Sequence, residues 1–184
     1  MLAIEANSQQ KIDYDHFDKN LFEKVLFQVL NFYRVEKGSD KIIWSNVVYN
    51  EISIHQMGII LAKDSVFHPD LKPMWDSTRV RELISKESER LTGLKTYVFR
   101  YAGPNISIAE NCLYTNFKAK TYQELAIYCV KLWDDSPNHR VTQYFPYRNK
   151  GKPGLAACAV GFSKKGMYVC FDFATVSRLG SITH

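Results

Sequence analysis

The sequence predicts a single α+β domain whose antiparallel sheet has four or five strands and whose helices number three or four. Apolar residues recur at helical spacing through much of the first half of the chain, whereas alternating runs separated by short turns fill the second half. Strands that follow one another through short turns pair antiparallel, and the helices then cover one face or one end of the sheet. The 184 residues fit one domain, with residues 1–15 as an N-terminal arm and residues 174–184 as a C-terminal tail.

Each helix prediction rests on an N-cap and an apolar stripe, and for two helices also on a glycine that ends them. The N-caps are Asp18, Asp76 or Ser77, and Thr121, and the terminating glycines are Gly38 and Gly93. The segment Lys41–Lys63 fits both a helix and a strand, because its apolar residues match either spacing, and we favour the helix.

Strands are predicted where apolar or aromatic residues alternate and turn residues flank the run. Lys95–Tyr101 forms a hairpin with a strand that begins at Ile106, and Gly103-Pro104-Asn105 supplies the turn. The remaining predicted strands are Arg140–Tyr147, Leu155–Phe162 and Met167–Phe173, the last two joined by a tight turn at Lys164-Lys165-Gly166.

The composition excludes several classes of protein. The chain contains no apolar run of about 20 residues, as a membrane-spanning helix requires, and its polar first residues lack the pattern of a signal peptide. Its four cysteines form no C-x-x-C pair, so we predict reduced, buried thiols and a cytoplasmic, intracellular location. The H-x-D triplets at residues 16–18 and 68–70 arise easily by chance, so no metal and no cofactor are predicted.

Basic charge is concentrated in the second half of the chain. Residues 93–184 contain 12 lysines and arginines against 5 acidic residues, whereas residues 1–92 contain 12 against 14. Such an asymmetry favours a polyanionic partner. We therefore predict a non-enzymatic binding or regulatory protein that associates with DNA or RNA through its basic half.

The predicted helix from Ser77 to Leu91 carries a basic stripe opposite its apolar face. Arg79, Lys86 and Arg90 lie close together at 100° per residue, and the hairpin that follows adds Arg100. Helices, then a basic helix and then a two-stranded hairpin is the order of elements in a winged-helix DNA-binding unit, which places one helix in the major groove. Acidic residues between these bases also fit an ordinary solvated helix face.

The segment from Tyr144 to Gly154 mixes aromatic and basic residues, the combination with which proteins hold single-stranded nucleic acids. Alternation turns Phe145 and Tyr147 toward the core and leaves the Tyr144 ring free for stacking. The bases that would meet phosphates are Arg148, Lys150 and Lys152. The same segment also fits a core strand followed by a flexible basic hairpin loop.

This segment also resembles the acetyl-CoA-binding loop of the GNAT acetyltransferases, in which an R-x-x-G-x-G/A turn opens a helix. Arg148 and Gly151 match that pattern, whereas Pro153 occupies the next glycine position and Gly154 follows one residue late. The resemblance implies an acyltransferase whose backbone N–H groups hold the pyrophosphate of acetyl-CoA.

A third function, besides nucleic-acid binding and acyl transfer, is that of a protein-binding inhibitor or adaptor of the kind that viruses and mobile elements encode. Its partner would be an acidic or nucleic-acid-binding protein, and exposed aromatic residues would serve as anchors. The candidate anchors are Trp44, Trp75 and Tyr144. The sequence also leaves open whether the chain forms a homo-oligomer.

Overall fold

A computed structural model describes residues 6–66, 77–93, 98–99, 103–104, 106–144 and 154–176. Its helices are α1 (Lys19–Glu36), α2 (Asn46–Val48), α3 (Ile54–Lys63), α4 (Thr78–Thr92), α5 (Tyr122–Asp135) and α6 (Pro137–Tyr144). A π-helical turn, Tyr49–Ser53, joins α2 to α3 into one continuous helix, and a 3-10 turn, Ala6–Gln9, precedes α1. The strands are β1 (Ile43–Trp44), β2 (Val98–Phe99), β3 (Gly103–Pro104), β4 (Ile106–Thr115), β5 (Leu155–Phe162) and β6 (Met167–Val176).

The predicted helix ends are confirmed. Each of the N-caps Asp18, Ser77 and Thr121 accepts a hydrogen bond from the backbone N–H group three residues later. Thr121 forms a full capping box, because the Glu124 carboxylate in turn accepts a bond from the backbone N–H of Thr121. Gly93 ends α4 in the left-handed region at φ +68°, where glycine is favoured.

The main sheet has four strands in the order β1-β5-β6-β4. β6 pairs antiparallel with both β5 and β4, but β1 runs parallel to β5. The prediction of an all-antiparallel sheet is therefore wrong for β1, because the short-turn rule says nothing about a strand whose partner lies far away in the sequence. β2 and β3 pair with each other in a separate two-stranded sheet.

Helices cover both faces of the main sheet, so the predicted placement on one face or at one end is wrong. On one face, α1 and α5 pack against alternate residues of β5 and β6, such as Cys158 and Phe171. On the other face, α3, α4 and the π-helical turn pack against the residues in between, such as Ala157 and Cys170. A strand that is covered on both faces has no solvent side, which explains why β5 is almost entirely buried.

The ambiguous segment Lys41–Lys63 folds mostly as helix, which confirms the favoured prediction, although Ile43 and Trp44 form β1. The helix lies very close to the sheet at one point. A Cβ atom at Gly161 of β5 would come within 2.6 Å of the Met57 sulfur on α3. Glycine at this position therefore permits the contact between helix and strand.

The predicted strand Arg140–Tyr147 is wrong, because its described part, up to Tyr144, belongs to α6. Pro137 occupies the first position of that helix, where its fixed φ and missing N–H group are tolerated. A short alternating run does not distinguish a strand from a helix. Tyr144 is fully buried, so the expectation that its ring is free for stacking is wrong as well.

α6 also brings the number of described helices to five, counting α2, the π-helical turn and α3 as one, against the three or four predicted. β4 begins at Ile106 as predicted, but it pairs with β6, whereas the described part of the preceding predicted strand, Val98–Phe99, pairs with β3. β5 and β6 form the predicted hairpin, and β6 continues to Val176, into the predicted tail.

In the described part of the chain, no helix combines the length and apolarity needed to cross a lipid bilayer.

Candidate nucleic-acid interface

Neighbouring acids neutralise most of the basic stripe of α4. Arg79 donates two hydrogen bonds to Glu51, at 3.0 and 3.2 Å, and Arg90 lies 3.6 Å from Glu87. Glu87 is itself buried and accepts a bond from the side chain that caps α2, so it belongs to the fold rather than to the solvated surface. Of the three predicted helix contacts, Lys86 alone has no acidic partner among the described residues.

In chain order α4 is followed by the short β2–β3 hairpin, and β3 packs against α4, whereas the strand predicted to complete the wing, β4, pairs with β6. Docking of this unit on DNA stays a prediction. The other predicted contacts, Arg100, Arg148, Lys150 and Lys152, lie outside the described residues.

The resemblance to an acetyl-CoA-binding loop implies a helix after the loop, but the strand β5 begins at Leu155 instead. Gly154 instead helps to hold β1 against β5. Its carbonyl accepts a bond from the Ile43 N–H at 2.9 Å, and a Cβ atom there would come within 2.2 Å of the Phe173 ring. Within the described residues 154–176 no helix follows the loop, while residues 145–153 lie outside the described residues, so the acyltransferase stays a prediction.

A second basic surface, which sequence patterns did not indicate, lies at the turn between β5 and β6. A cleft of about 310 Å³ opens there, and we call it the turn cleft. Its lining consists of Tyr14, residues 115–118 at the end of β4 and just after it, and residues 162–167, which span the turn and the adjoining strand ends. Three exposed lysines converge on it, namely Lys118, Lys164 and Lys165.

The three lysines differ in their partners. Lys165 Nζ lies 2.8 Å from Asp64, and this contact lowers the pKa of Asp64 to about 2. Among the described residues, no carboxylate pairs with Lys118 or Lys164. Lys118 instead lies over the Tyr14 ring, 3.8 Å from its centroid, in a cation–π contact. Two of the three positive charges in the turn cleft are therefore not balanced by a described acid.

Aromatic rings lie beside these bases. Phe117 is 43% exposed and stacks on Tyr128 with ring centroids 4.2 Å apart. Phe162 is 36% exposed, packs edge-on against Phe17, and has Lys19 of α1 5.9 Å from its ring centroid. Each exposed ring is thus supported by a second ring and still presents surface to a flat ligand.

The described residues contain no group of three or more histidine, cysteine or acidic side chains placed to hold a metal ion. The first H-x-D triplet serves local structure, because His16 pairs with Asp13 at 3.0 Å and Asp18 caps α1. The second triplet, residues 68–70, lies outside the described residues.

No protein-family model matches this chain, and neither a curated protein nor a solved structure is significantly similar to it. Function must therefore be inferred from geometry, and the turn cleft combines unpaired positive charge, exposed aromatic rings and a concave shape in one place.

The basic residues of the turn cleft come from two segments that are far apart in the sequence. One is Asn116–Lys120, in which an aromatic residue precedes two lysines, and the other is the turn Lys164-Lys165-Gly166, recognised only as a turn. The β4–β6 register pairs Thr115 with Met167 and so brings the two segments together. Without that register, neither segment indicates a binding surface.

Proposed function

We propose that this protein is a non-enzymatic binding protein for single-stranded nucleic acid and that the turn cleft is its contact surface. The observation that carries the proposal is the convergence of three lysines and two exposed phenylalanine rings on one cleft. Lysines neutralise phosphates while aromatic rings stack on unpaired bases, and this combination tolerates many sequences. The excess of basic residues in the second half of the chain supports the same proposal.

The shape of the basic surface favours a single strand over a duplex. A helix that reads the major groove needs an open polar face, but both arginines of the α4 stripe pair with carboxylates. The turn cleft is a concave site of about 310 Å³, which suits an unstacked base better than a base pair within a helix.

Salt dependence gives the proposal a measurable signature. The logarithm of the association constant of a single strand falls with the logarithm of the salt concentration, by about 0.7 for each neutralised phosphate. If Lys118 and Lys164 each neutralise one phosphate, replacing both would reduce that slope by about 1.4.

The test measures fluorescence anisotropy of labelled single-stranded DNA, single-stranded RNA and duplex DNA against the full chain at several salt concentrations. We expect single strands to bind more tightly than the duplex. The variant Lys118→Gln with Lys164→Gln should weaken single-strand binding and flatten the salt slope. Its matched control, Arg79→Gln with Lys86→Gln, removes the same charge from α4 and should leave both quantities unchanged.

Two results would overturn the proposal. One is the absence of binding to any single strand at low salt. The other is a larger loss of affinity in the α4 control than in the cleft variant, which would favour the winged-helix prediction instead. A pull-down from lysate, split into nuclease-treated and untreated halves, separates the protein-binding alternative, because only a protein partner remains after nuclease.

A further inference from the structure

A second cleft borders α1 at the edge of the main sheet where β1 ends. It has a volume of about 300 Å³, and we call it the edge cleft. Its lining residues are Asn20, Glu23 and Lys24 of α1 together with Trp44, Asn46 and Tyr49. The π-helical turn that begins at Tyr49 contributes to its wall, and π-helical turns are frequent at functional sites.

Glu23 is the polar centre of the edge cleft. It is only 5% exposed, and its two oxygens each accept a hydrogen bond at 3.0 Å, one from the Val160 backbone N–H and one from the Tyr49 hydroxyl. Burial raises the pKa of Tyr49 to about 12, and the Glu23 charge adds to the shift, so the phenol remains a donor. Since a carboxylate oxygen can accept two hydrogen bonds, each Glu23 oxygen keeps the capacity to accept one more beyond these described partners.

Two aromatic rings form the walls of the edge cleft. The ring centroids of Trp44 and Tyr49 lie 5.5 Å apart, and Phe27 supports Trp44 edge-on at 5.2 Å. The Trp44 indole N–H donates to Asn46 at 3.1 Å, which holds the ring in orientation. A flat apolar wall beside a buried acceptor suits a planar ligand with N–H groups along one edge.

The charges around Glu23 argue against an ionic ligand. Lys24 lines the cleft, and Lys19 lies one helical turn before Glu23 and interacts with it electrostatically. These ammonium groups would repel a cation, while the Glu23 carboxylate would repel an anion at the centre of the cleft. A neutral ring that bears hydrogen-bond donors would be repelled neither by the ammonium groups nor by the carboxylate.

We propose that the edge cleft binds an unpaired guanine base, which stacks against Trp44 and donates its adjacent N1–H and N2–H groups to the two oxygens of Glu23. Among the four bases, guanine presents two neighbouring donors on its pairing edge. Adenine and cytosine offer one donor group beside an acceptor, and uracil offers one donor between two acceptors, so each would turn an acceptor toward the carboxylate. The inference rests on the proposed function, because the nucleic acid supplies the base.

Residues at the start of α1 lie beside both clefts. Lys19 lies near the ring of Phe162, which lines the turn cleft, and Glu23 of the edge cleft follows one helical turn later. A single strand that crosses the Lys19 side chain would place one base in each cleft. The turn cleft would then supply affinity for any strand, and the edge cleft would supply a preference for guanine.

The experiment is calorimetric titration of the full chain with nucleosides, which carry no phosphate and therefore make no use of the lysines in the turn cleft. We expect guanosine to bind at least about tenfold more tightly than adenosine, cytidine and uridine, the factor expected for one hydrogen bond to a charged group. Inosine, which is guanosine without its 2-amino group, should lose a similar factor.

Two variants complete the test. Glu23→Gln keeps an acceptor for the Val160 N–H but replaces one carboxylate oxygen with a donor, and it should abolish the preference for guanosine. Glu36→Gln, also on α1 but exposed and outside the cleft, should leave the preference unchanged. Thermal melts of both variants establish that they are folded.

Equal affinity for all nucleosides, or no binding of any, would overturn the inference on the unmodified protein alone, whatever the variants do. An unchanged preference for guanosine in folded Glu23→Gln would also overturn it. A different result would separate the two proposals. If guanosine binds selectively while Lys118→Gln with Lys164→Gln leaves oligonucleotide binding unchanged, the inference for the edge cleft is supported and the role proposed for the turn cleft is contradicted.

Discussion

Glu110 on β4 lies directly opposite Asp172 on β6, so two carboxyl groups share one face of the sheet beneath α3 and the π-helical turn. Asp172 is fully buried, and among the described residues neither of its oxygens meets a donor in good hydrogen-bond geometry. Burial raises the pKa of Asp172 to about 8, with the Glu110 charge adding to the shift, and burial also raises the pKa of Glu110.

Replacing Asp172 should therefore change how stability depends on pH. Between its unfolded pKa of 3.8 and its folded pKa of about 8, the folded protein holds a proton that the unfolded chain releases. The free energy of unfolding then falls as pH rises, by at most about 1.4 kcal/mol per pH unit from this group. Asp172→Asn should remove that part of the slope, so that the variant gains stability relative to the unmodified protein as pH rises from 5 to about 8.

Urea unfolding at several pH values measures this difference. The exposed carboxylate variant Glu36→Gln is the control, and it should follow the pH dependence of the unmodified protein. Parallel pH curves for Asp172→Asn and the unmodified protein would mean that Asp172 is ionised in the folded state across this range.

Two glycines on facing elements should respond in opposite ways to alanine. At Gly161 a Cβ atom would lie 2.6 Å from the Met57 sulfur and 2.9 Å from Leu61, so Gly161→Ala should destabilise the fold by about 1–3 kcal/mol. At Gly58, inside α3, nothing lies within 4 Å of the added Cβ, and Gly58→Ala should stabilise by about 0.5–1 kcal/mol. Denaturant midpoints test both, and a stabilising Gly161→Ala would show that the helix is free to move away from β5.

Arg34 is the largest buried cation of the described core and ties three elements together. Its guanidinium donates to the carbonyls of Asp40 and Gln143 and lies 5.4 Å from the Phe173 ring centroid. Arg34→Met keeps much of the volume but leaves these carbonyls without their donor, so we expect a loss of about 2–4 kcal/mol. Arg34→Lys should recover only part of the lost stability, since one ammonium group does not reproduce the planar guanidinium with its several N–H donors. Equal stability of the lysine variant and the unmodified protein would contradict this role.

The four cysteines should be slow to react in the folded protein. Burial raises the pKa of Cys112, Cys129, Cys158 and Cys170, which suppresses the thiolate that attacks alkylating reagents. Intact-mass spectrometry after brief treatment with iodoacetamide at pH 7.5 should find little labelling in buffer and four labels in guanidinium chloride. Cys112, the least enclosed of them, should be the first to react. Rapid labelling of a single thiol in buffer would identify an activated cysteine instead.

Features determined within a few residues were predictable from the sequence. The caps Asp18, Ser77 and Thr121 act through a backbone N–H three residues away, and the β5–β6 turn joins strands that are neighbours in the chain. The segment Arg140–Tyr147 was predicted wrongly because it is too short for its periodicity to distinguish a helix from a strand. Its burial depends on contacts with α1, which lies far away in the sequence.

Features that depend on distant pairings were not predictable. The parallel pairing of β1 with β5 and the cover of helices on both faces follow from contacts between the two halves of the chain. The turn cleft requires the pairing of Thr115 with Met167, and the position of Glu23 is explained only by Val160, far along the sequence. Charge counts identified the basic half but not the lysines that meet in space.

The shortness of β1 has a consequence for association between copies of the chain. β1 pairs with β5 only at Leu155 and Ala156, so within the described structure the outer edge of β5 continues past the end of its neighbour. An open strand edge is a template on which another strand can add, and such edges lead to aggregation unless they are blocked. Glu23 occupies the Val160 N–H on this edge with a buried carboxylate, so a strand that added there would have to displace it.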